Sequence, residues 1–129
     1  MTITVPQAPP LITSDRPWGH FEQFATNEQV TVKIITVEPG QRLSLQRHER
    51  RSELWTIIDG PVDVEISGIP SILNSGEHVW IPLLAMHRMG NSSATTVRVL
   101  EVAFGYFDEN DIERFDDDYE RVTTAPPRQ

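Results

Sequence analysis

Cysteine is absent from this 129-residue sequence, which excludes disulfide bonds and thiolate metal ligands. No apolar run approaches the roughly 20 residues that a membrane-spanning helix requires. The first residues also lack a basic stretch followed by an apolar one, so we expect no signal peptide. These absences predict a soluble, cytoplasmic protein with no membrane partner.

Positive charge is scarce as well. Eleven Lys and Arg residues stand against 19 Asp and Glu residues, giving a net charge of -8 and a pI of about 4.8. Because such a surface repels a phosphate backbone, nucleic acid is not an expected partner. A small anionic substrate remains open, since a site can concentrate basic residues while the surface stays acidic.

The sequence shows no amphipathic helical periodicity of useful length, and short alternating segments separated by turn residues are typical of an all-β sandwich or barrel. We predict the main strands at Val30–Val37, Leu43–His48, Glu53–Ile58, Val62–Ile66, Ser71–Leu73, Val79–Ile81 and Thr95–Ala103. The first of these changes phase, which indicates a bulge or two covered faces. A single helical turn is expected within Asp108–Phe115. We divide the chain into an extended N-terminal arm (1–15), one domain (16–121) and a C-terminal tail (122–129).

Potential metal ligands are concentrated in two stretches of the sequence. Gln46, His48 and Glu53 lie within eight positions of one another, and His87 comes from a later strand pair. Side chains alternate along a strand, so Gln46 and His48 face the same way, and Glu53 can reach the same interior from the next strand. Two imidazoles, a carboxylate and an amide oxygen suit one divalent ion of the zinc, iron, manganese or nickel group.

The spacing of these residues resembles the two motifs of the cupin superfamily. The first motif is matched by Gly40, Gln46, His48, Glu53 and Gly60, and the second by Gly76, Pro82, His87 and Asn91. Gln46 stands where most cupins carry His, and Leu84 stands where the second motif usually has Gly. The resemblance implies a double-stranded β-helix, or jelly-roll barrel, with one metal ion.

A longer match resembles the type II mannose-6-phosphate isomerase domain. It is carried by Arg16–Gly19, Pro39–Gln46, Arg51–Trp55 and Asp111–Tyr119, together with the Gln-x-His…Glu…His ligand order. The resemblance implies interconversion of mannose 6-phosphate and fructose 6-phosphate through an enediol, with zinc the expected metal and manganese, cobalt, nickel or iron the alternatives. In that family the domain usually follows a mannose-1-phosphate guanylyltransferase, of which we recognise no counterpart in these residues.

Such an isomerase needs a base near the carbons and cations for the phosphate. Lys33 shares strand phase with Ile35, and Glu101 shares phase with Val99, so both are expected to face the interior. We predict Lys33, Glu101 and Arg114 as catalytic residues and Arg51 and Arg121 as substrate-binding residues. Lys33 could instead be a lysine that extends to solvent, and Glu101 a buried structural partner of an arginine.

Two departures from the isomerase pattern keep other functions open. Ala103 stands where a Gln is usual, and Glu120 where a Gly precedes an Arg. One alternative is a cupin that binds a sugar or sugar phosphate without turnover, as a sensor or accessory module. Another is a different metal-dependent cupin enzyme, such as an oxygenase. A homodimer is expected, formed through the N-terminal arm or a strand edge.

Overall fold

A computed structural model describes residues 11–121 of the chain, so residues 1–10 of the expected arm and the expected tail, 122–129, lie outside the described residues. Within the described range the fold is all-β, as predicted. The eleven strands are β1 (Ile12–Arg16), β2 (Gly19–Gln23), β3 (Val30–Val37), β4 (Leu45–Arg47), β5 (Arg51–Asp59), β6 (Val62–Ile66), β7 (Ile69–Leu73), β8 (His78–Ile81), β9 (His87–Gly90), β10 (Val97–Gly105) and β11 (Glu113–Asp116). Residues 12–15, expected in the arm, therefore belong to a strand.

The strands form two main sheets and a hairpin. One sheet has the order β3-β10-β5-β8, the other has the order β11-β4-β9-β6-β7, and β1 pairs with β2. Buried residues from both sheets form one cluster, which includes Trp55 and Val99 from the first sheet and Val64 and Met89 from the second. The core therefore lies between the two sheets. No helix long and apolar enough to cross a membrane occurs in the described part of the chain.

Strand alternation decides which side chains reach this core. On β6, Val62 and Val64 are buried while the intervening Asp63 is only half-buried. On β3 the inward positions are those of Lys33, Ile35 and Val37, whereas Val32 and Ile34 are 56% and 55% exposed. The register of β3 with β10 is continuous, so the strand has no bulge there. The exposure of Val32 and Ile34 shows that the described residues leave its outer face uncovered, so neither expectation for this strand is met.

The outer face of the first sheet carries a smaller apolar cluster. Leu54, Val102 and Phe104 are buried there, with Phe24 and Trp80 among the residues that pack against them. Phe24 directly follows β2, so the chain leaving the hairpin covers part of this face. The hairpin is also attached by a contact of 3.1 Å between the Glu22 carboxylate and His78 Nε2.

The segment after β10 crosses the end of the core and differs from the prediction. The helical turn expected within Asp108–Phe115 is wrong: a turn closed by Asp111 N donating to Asp108 O leads into β11, which pairs with β4. The Asp111 carboxylate accepts hydrogen bonds from the backbone N–H groups of Glu49 and Arg50, both at 2.9 Å. These bonds fix residues 106–112 against the β4–β5 connection.

Candidate metal centre

Two imidazoles and one carboxylate converge at the end of the core that residues 106–112 cross. His48 follows β4, Glu53 lies in β5 and His87 begins β9, so the pairing of the strands brings them together. His48 Nε2 lies 3.3 Å from Glu53 Oε2, and His87 Nε2 lies 3.6 Å from Glu53 Oε1. All three residues are buried, and their ligand atoms lie within 4.8 Å of one another. The sequence motif therefore corresponds to a compact set of donor atoms that could hold a metal ion.

The hydrogen bonds of both imidazoles fit metal binding. His48 Nδ1 lies 2.8 Å from the Asp111 carbonyl, and His87 Nδ1 lies 2.9 Å from the Ala85 carbonyl. A carbonyl only accepts, so each Nδ1 carries a proton and donates it, which leaves each Nε2 as the ring nitrogen that faces Glu53 and could bind a metal. This is the arrangement by which backbone carbonyls orient metal-ligating histidines.

The charge states of the set also suit a cation. Burial is the main cause that lowers the pKa of His48 to about 4, so its imidazole is neutral at pH 7. Burial alone would raise the pKa of Glu53, but His87, His48 and Arg51 outweigh it and hold that pKa below the ordinary value. Neutral imidazole and ionised carboxylate are the forms that bind metals.

Gln46, predicted as the fourth ligand, lines the same cavity. It pairs with His87 across β4 and β9. Its amide nitrogen donates to the Ser44 hydroxyl at 3.1 Å and the Ser44 carbonyl at 3.3 Å. With the nitrogen engaged, any contact with a cation would come from the amide oxygen, as a hard or borderline metal prefers.

Arg51, predicted to bind substrate, is buried beside the three ligands. Its Nε donates to Glu53 Oε2 at 3.1 Å, and one terminal nitrogen donates to the Asp108 carbonyl at 3.1 Å. Its guanidinium carbon lies 4.4 Å from the centroid of the Phe107 ring. Arg51 is therefore a counter-ion of Glu53, and it places a positive charge in the wall of the cavity.

Glu101 lies on β10 next to Glu53, facing the interior as its strand phase predicted. The indole N–H of Trp55 donates to Glu53 Oε1 at 3.0 Å and to Glu101 Oε1 at 3.3 Å. Burial, followed by the charge of Glu53 and a hydrogen bond with it, raises the pKa of Glu101 to about 8. A carboxyl group with such a pKa can exchange a proton near neutral pH.

These residues share one cavity of about 100 Å³, whose lining includes Lys33, Gln46, His48, Arg51, Glu53, His87, Glu101, Glu109 and Arg114. Lys33, the only lysine in the sequence, has its Nζ 3.6 Å from a carboxylate oxygen of the exposed Glu109. A larger cavity, of about 980 Å³, lies at the outer face of the second sheet around Ile72 and Arg88. We assign the functional site to the smaller cavity because the ligand set and Glu101 lie there. A hexose phosphate would extend outward from it, since one water molecule already takes about 30 Å³.

Arg121 is the one predicted site residue that the structure does not bring to this cavity. Its guanidinium binds both carboxylate oxygens of Asp117, at 2.7 and 3.1 Å, and its side chain is half exposed. Its role in substrate binding stays a prediction. Glu120, which stands where the isomerase pattern has Gly, has a φ of 62°, in the left-handed region that favours glycine.

Three residues of the site were not predicted from the sequence to act in it. Trp55 was not singled out, although its phase with Glu53 already placed both side chains in the same interior. Asp111 and Phe107 lie in an irregular segment without periodicity, and their contacts are made with residues far away in sequence. Asp111, unlike Phe107, lies in a stretch of the longer isomerase-like match, and only that position could have drawn attention to this segment.

The family described as mannose-6-phosphate isomerase C-terminal matches residues 11–117 of the chain. Mannose-1-phosphate guanylyltransferase ManC of Salmonella typhimurium is 40% identical over 108 residues, which are 83% of this chain and 22% of that protein. Alginate biosynthesis protein AlgA of Pseudomonas putida is 37% identical over 114 residues, 88% of this chain and 24% of that protein. Xanthan biosynthesis protein XanB of Xanthomonas campestris is 37% identical over 108 residues, which are 83% of this chain and 23% of that protein. The chain thus spans less than a quarter of the length of these relatives.

Solved structures resemble the fold at lower identity. The capsular polysaccharide assembling protein CapF of Staphylococcus aureus has a TM-score of 0.63 and 20% identity, over 83% of this chain and 34% of that one. A protein of Klebsiella pneumoniae described as having a double-stranded β-helix domain has a TM-score of 0.60 and 20% identity, over 71% of this chain and 78% of that one. These likenesses concern the fold alone, and they confirm the double-stranded β-helix predicted from the sequence.

Proposed function

The chain belongs to the mannose-6-phosphate isomerase C-terminal family, and from that premise we propose that it is a metal-dependent isomerase that interconverts mannose 6-phosphate and fructose 6-phosphate. One observation carries the proposal: a single cavity contains three metal-ligand side chains, a buried carboxyl group and several cations. The guanylyltransferase named for ManC is not part of the proposal, because this chain covers only 22% of that protein.

The proposed reaction moves one proton between two carbons. A base removes the proton from C2 of the aldose, the C2–H electrons form a C1=C2 bond, and O1 takes up a proton to give the enediol. The O2 proton is then released, C2=O2 forms, and the base returns its proton to C1. Atoms and charge balance without an oxidant or a second substrate.

We assign the carbon proton transfer to Glu101. Its carboxylate form accepts the proton, and its raised pKa, about 8, makes the protonated form stable enough to return it. Glu101 is 5% exposed, so bulk water has little access to the proton while the group holds it. Trp55 fixes one of its oxygens, and the other oxygen is the one we assign to the substrate.

The metal would be held by His48, Glu53 and His87, with the amide oxygen of Gln46 as the proposed fourth ligand. When bound, a divalent ion would supply Lewis-acid stabilisation of the negative charge that develops on the sugar oxygens. We propose zinc, because two neutral imidazoles and a carboxylate are typical zinc ligands, with manganese, cobalt, nickel and iron as alternatives. The carbonyls of Asp111 and Ala85 keep the two imidazole lone pairs directed at the ion.

We propose that Lys33 and Arg114 attract the phosphate group of the substrate. Both line the cavity, and the ion pair that Lys33 makes among residues 11–121 is with the exposed carboxylate of Glu109, at 3.6 Å. A phosphate dianion carries more charge than this carboxylate, so it can displace Glu109 from Lys33. Arg51 is less suited to this role, because Glu53 and the Asp108 carbonyl already occupy its donors.

The test is turnover of mannose 6-phosphate by the purified chain, after chelation and again after each candidate metal has been restored. We expect metal-restored turnover in the wild-type protein and in His78→Ala, whose histidine contacts Thr56 and Glu22 away from the cavity. His48→Ala should lose both metal and turnover. Retained metal stoichiometry in His48→Ala would contradict the ligand assignment.

The main alternative is a cupin that binds a sugar phosphate without turnover. Its supporting observations are Ala103 and Glu120, which depart from the isomerase pattern. Bound metal and bound mannose 6-phosphate with no conversion under any metal would favour this alternative. A second alternative is an oxygenase, because His48, Glu53 and His87 alone form a two-histidine, one-carboxylate set. Oxygen consumption by the iron-loaded protein with organic substrates would support it.

We also propose that the chain forms a homodimer. Among residues 11–121, β3 pairs only with β10 and lies at the edge of its sheet, and Val32 and Ile34 on its outer side are more than half exposed. An uncovered β-branched edge of this kind favours pairing with another chain. Sedimentation equilibrium tests this proposal, and a monomer at all concentrations would contradict it.

A further inference from the structure

Trp55 connects the two carboxyl groups on which the proposed function depends. Its single indole N–H is shared between Glu53 Oε1, at 3.0 Å, and Glu101 Oε1, at 3.3 Å. The side chain is 1% exposed, so water does not replace this donor. Its ring also meets His87 edge-on, with ring centroids 5.5 Å apart and an interplanar angle of 76°.

The two oxygens of Glu53 have different partners, and this sets the direction of the carboxylate. Oε2 accepts from Arg51 Nε at 3.1 Å and lies near His48, whereas Oε1 accepts from Trp55 and lies near His87. Arg51 and Trp55 therefore hold the carboxylate plane from opposite ends. If the indole N–H is lost, the buried Oε1 of Glu53 loses a donor that water does not replace, which is unfavourable.

We propose that Trp55 is a positioning residue that holds the metal-ligand carboxylate of Glu53 and the proton-transferring carboxyl of Glu101 in one fixed relation. This inference rests on the proposed metal site and extends it to a residue that is neither a ligand nor a base. Outer partners of metal ligands typically change metal affinity by about 10–100-fold when they are removed. The indole N–H is such an outer partner of Glu53, and the same N–H also limits the movement of Glu101.

The chain contains a matched control for the loss of the N–H. Trp80 on β8 packs in the outer cluster, 5.7 Å from Phe104 between ring centroids. Its Nε1 is buried and has no hydrogen-bond partner among residues 11–121. Trp80→Phe therefore removes the same atoms as Trp55→Phe but no hydrogen bond.

The experiment measures zinc affinity by competition with a chelator, and the cobalt absorption spectrum, for wild type, Trp55→Phe and Trp80→Phe. We expect a 10–100-fold weaker zinc affinity and an altered cobalt spectrum in Trp55→Phe, and wild-type values in Trp80→Phe. Equal affinities and spectra in wild type and Trp55→Phe would overturn the inference, as would an equal loss in Trp80→Phe.

A second measurement keeps the inference testable if Trp55→Phe folds poorly. Replacing the Trp55 side chain with benzothienylalanine keeps the fused-ring shape and removes only the N–H, and it should weaken zinc by the same factor. Unchanged affinity in this protein would overturn the inference. If wild type binds no divalent ion, the proposed metal site is wrong. The positioning role of Trp55 is then tested by the solvent exchange of its indole proton, followed by NMR. Slow solvent exchange that becomes fast in a Glu53→Leu, Glu101→Leu double variant, which lacks both acceptor oxygens, would retain the positioning role, and no change would refute it.

Discussion

Replacing Glu101 with glutamine should change how the stability of the metal-free protein depends on pH. Burial and the neighbouring Glu53 raise the pKa of Glu101 from 4.5 to about 8. Below pH 4.5 the folded and unfolded states both hold the proton. Between pH 4.5 and 8 the unfolded chain releases it while the folded protein keeps it, so rising pH favours unfolding. Glutamine does not titrate, and its amide can still donate to Glu53.

The size of the effect follows from the shift in pKa. Each pKa unit corresponds to about 1.4 kcal/mol, so the free energy of unfolding of wild type should fall, relative to Glu101→Gln, by up to about 5 kcal/mol between pH 4.5 and 8. Relaxation and water penetration make this an upper limit. His48, whose lowered pKa destabilises the folded state as pH falls from 6.5 towards 4, contributes to both proteins and largely cancels in the difference.

The assay is urea unfolding of chelator-treated protein at several pH values between 5 and 9. Glu65→Gln is the matched control, since Glu65 lies on the outer side of β6, away from the cavity. The unfolding free energy of Glu101→Gln minus that of wild type should rise with pH by several kcal/mol, and the corresponding difference for Glu65→Gln should stay nearly flat. A change below about 1 kcal/mol for Glu101→Gln would refute the reasoning, because the carboxyl would then titrate as it does in water.

Three further predictions concern other parts of the site. Gly105→Ala should lower the free energy of unfolding, measured with urea, by about 3 kcal/mol or more, because φ is +112° and the new Cβ would lie 2.4 Å from the Arg50 carbonyl oxygen. The control Gly68→Ala has a positive φ but open space around the new Cβ, so it should lower that free energy by only about 1–2 kcal/mol. Equal losses in the two variants would contradict the steric explanation. Lys33→Ala should raise KM for mannose 6-phosphate by about 10–100-fold in steady-state kinetics, because the phosphate loses one charged hydrogen bond. An unchanged KM would show that Lys33 does not bind the phosphate. Arg121→Ala should leave that KM within about threefold, because the half-exposed guanidinium lies outside the cavity; a tenfold rise would restore its predicted contact with substrate.

The ligand set could be predicted from the sequence because it depends on short-range rules. The spacing of His48 and Glu53 across a turn, together with strand alternation, already directs both side chains to one interior. Glu101 was identified in the same way, from its phase with Val99. His87 reaches the same point through pairing between strands that are distant in sequence. No local pattern predicts this pairing, and His87 was included because it matches the family's second motif.

What the sequence could not predict depends on contacts between distant residues. The segment Asp108–Phe115 was expected to contain a helical turn, yet the Asp111 carboxylate binds backbone groups 61 and 62 residues earlier. Strand β1 has no buried side chain and therefore no apolar alternation, which is why its pairing with β2 was missed. Arg121 is a different case, because its ion pair with Asp117 is local, only four residues apart. Its assignment to the substrate came from the isomerase-like pattern, and that role stays a prediction.

We propose above that one metal ion, held by His48, Glu53 and His87, makes this chain an isomerase. Titration of the chelated protein with zinc, while conversion of mannose 6-phosphate to fructose 6-phosphate is followed, tests it most directly. We expect the rate to rise in proportion to added zinc and to reach a plateau at one equivalent per chain. Full turnover in the metal-free protein, or no turnover with one tightly bound zinc ion per chain, would contradict it.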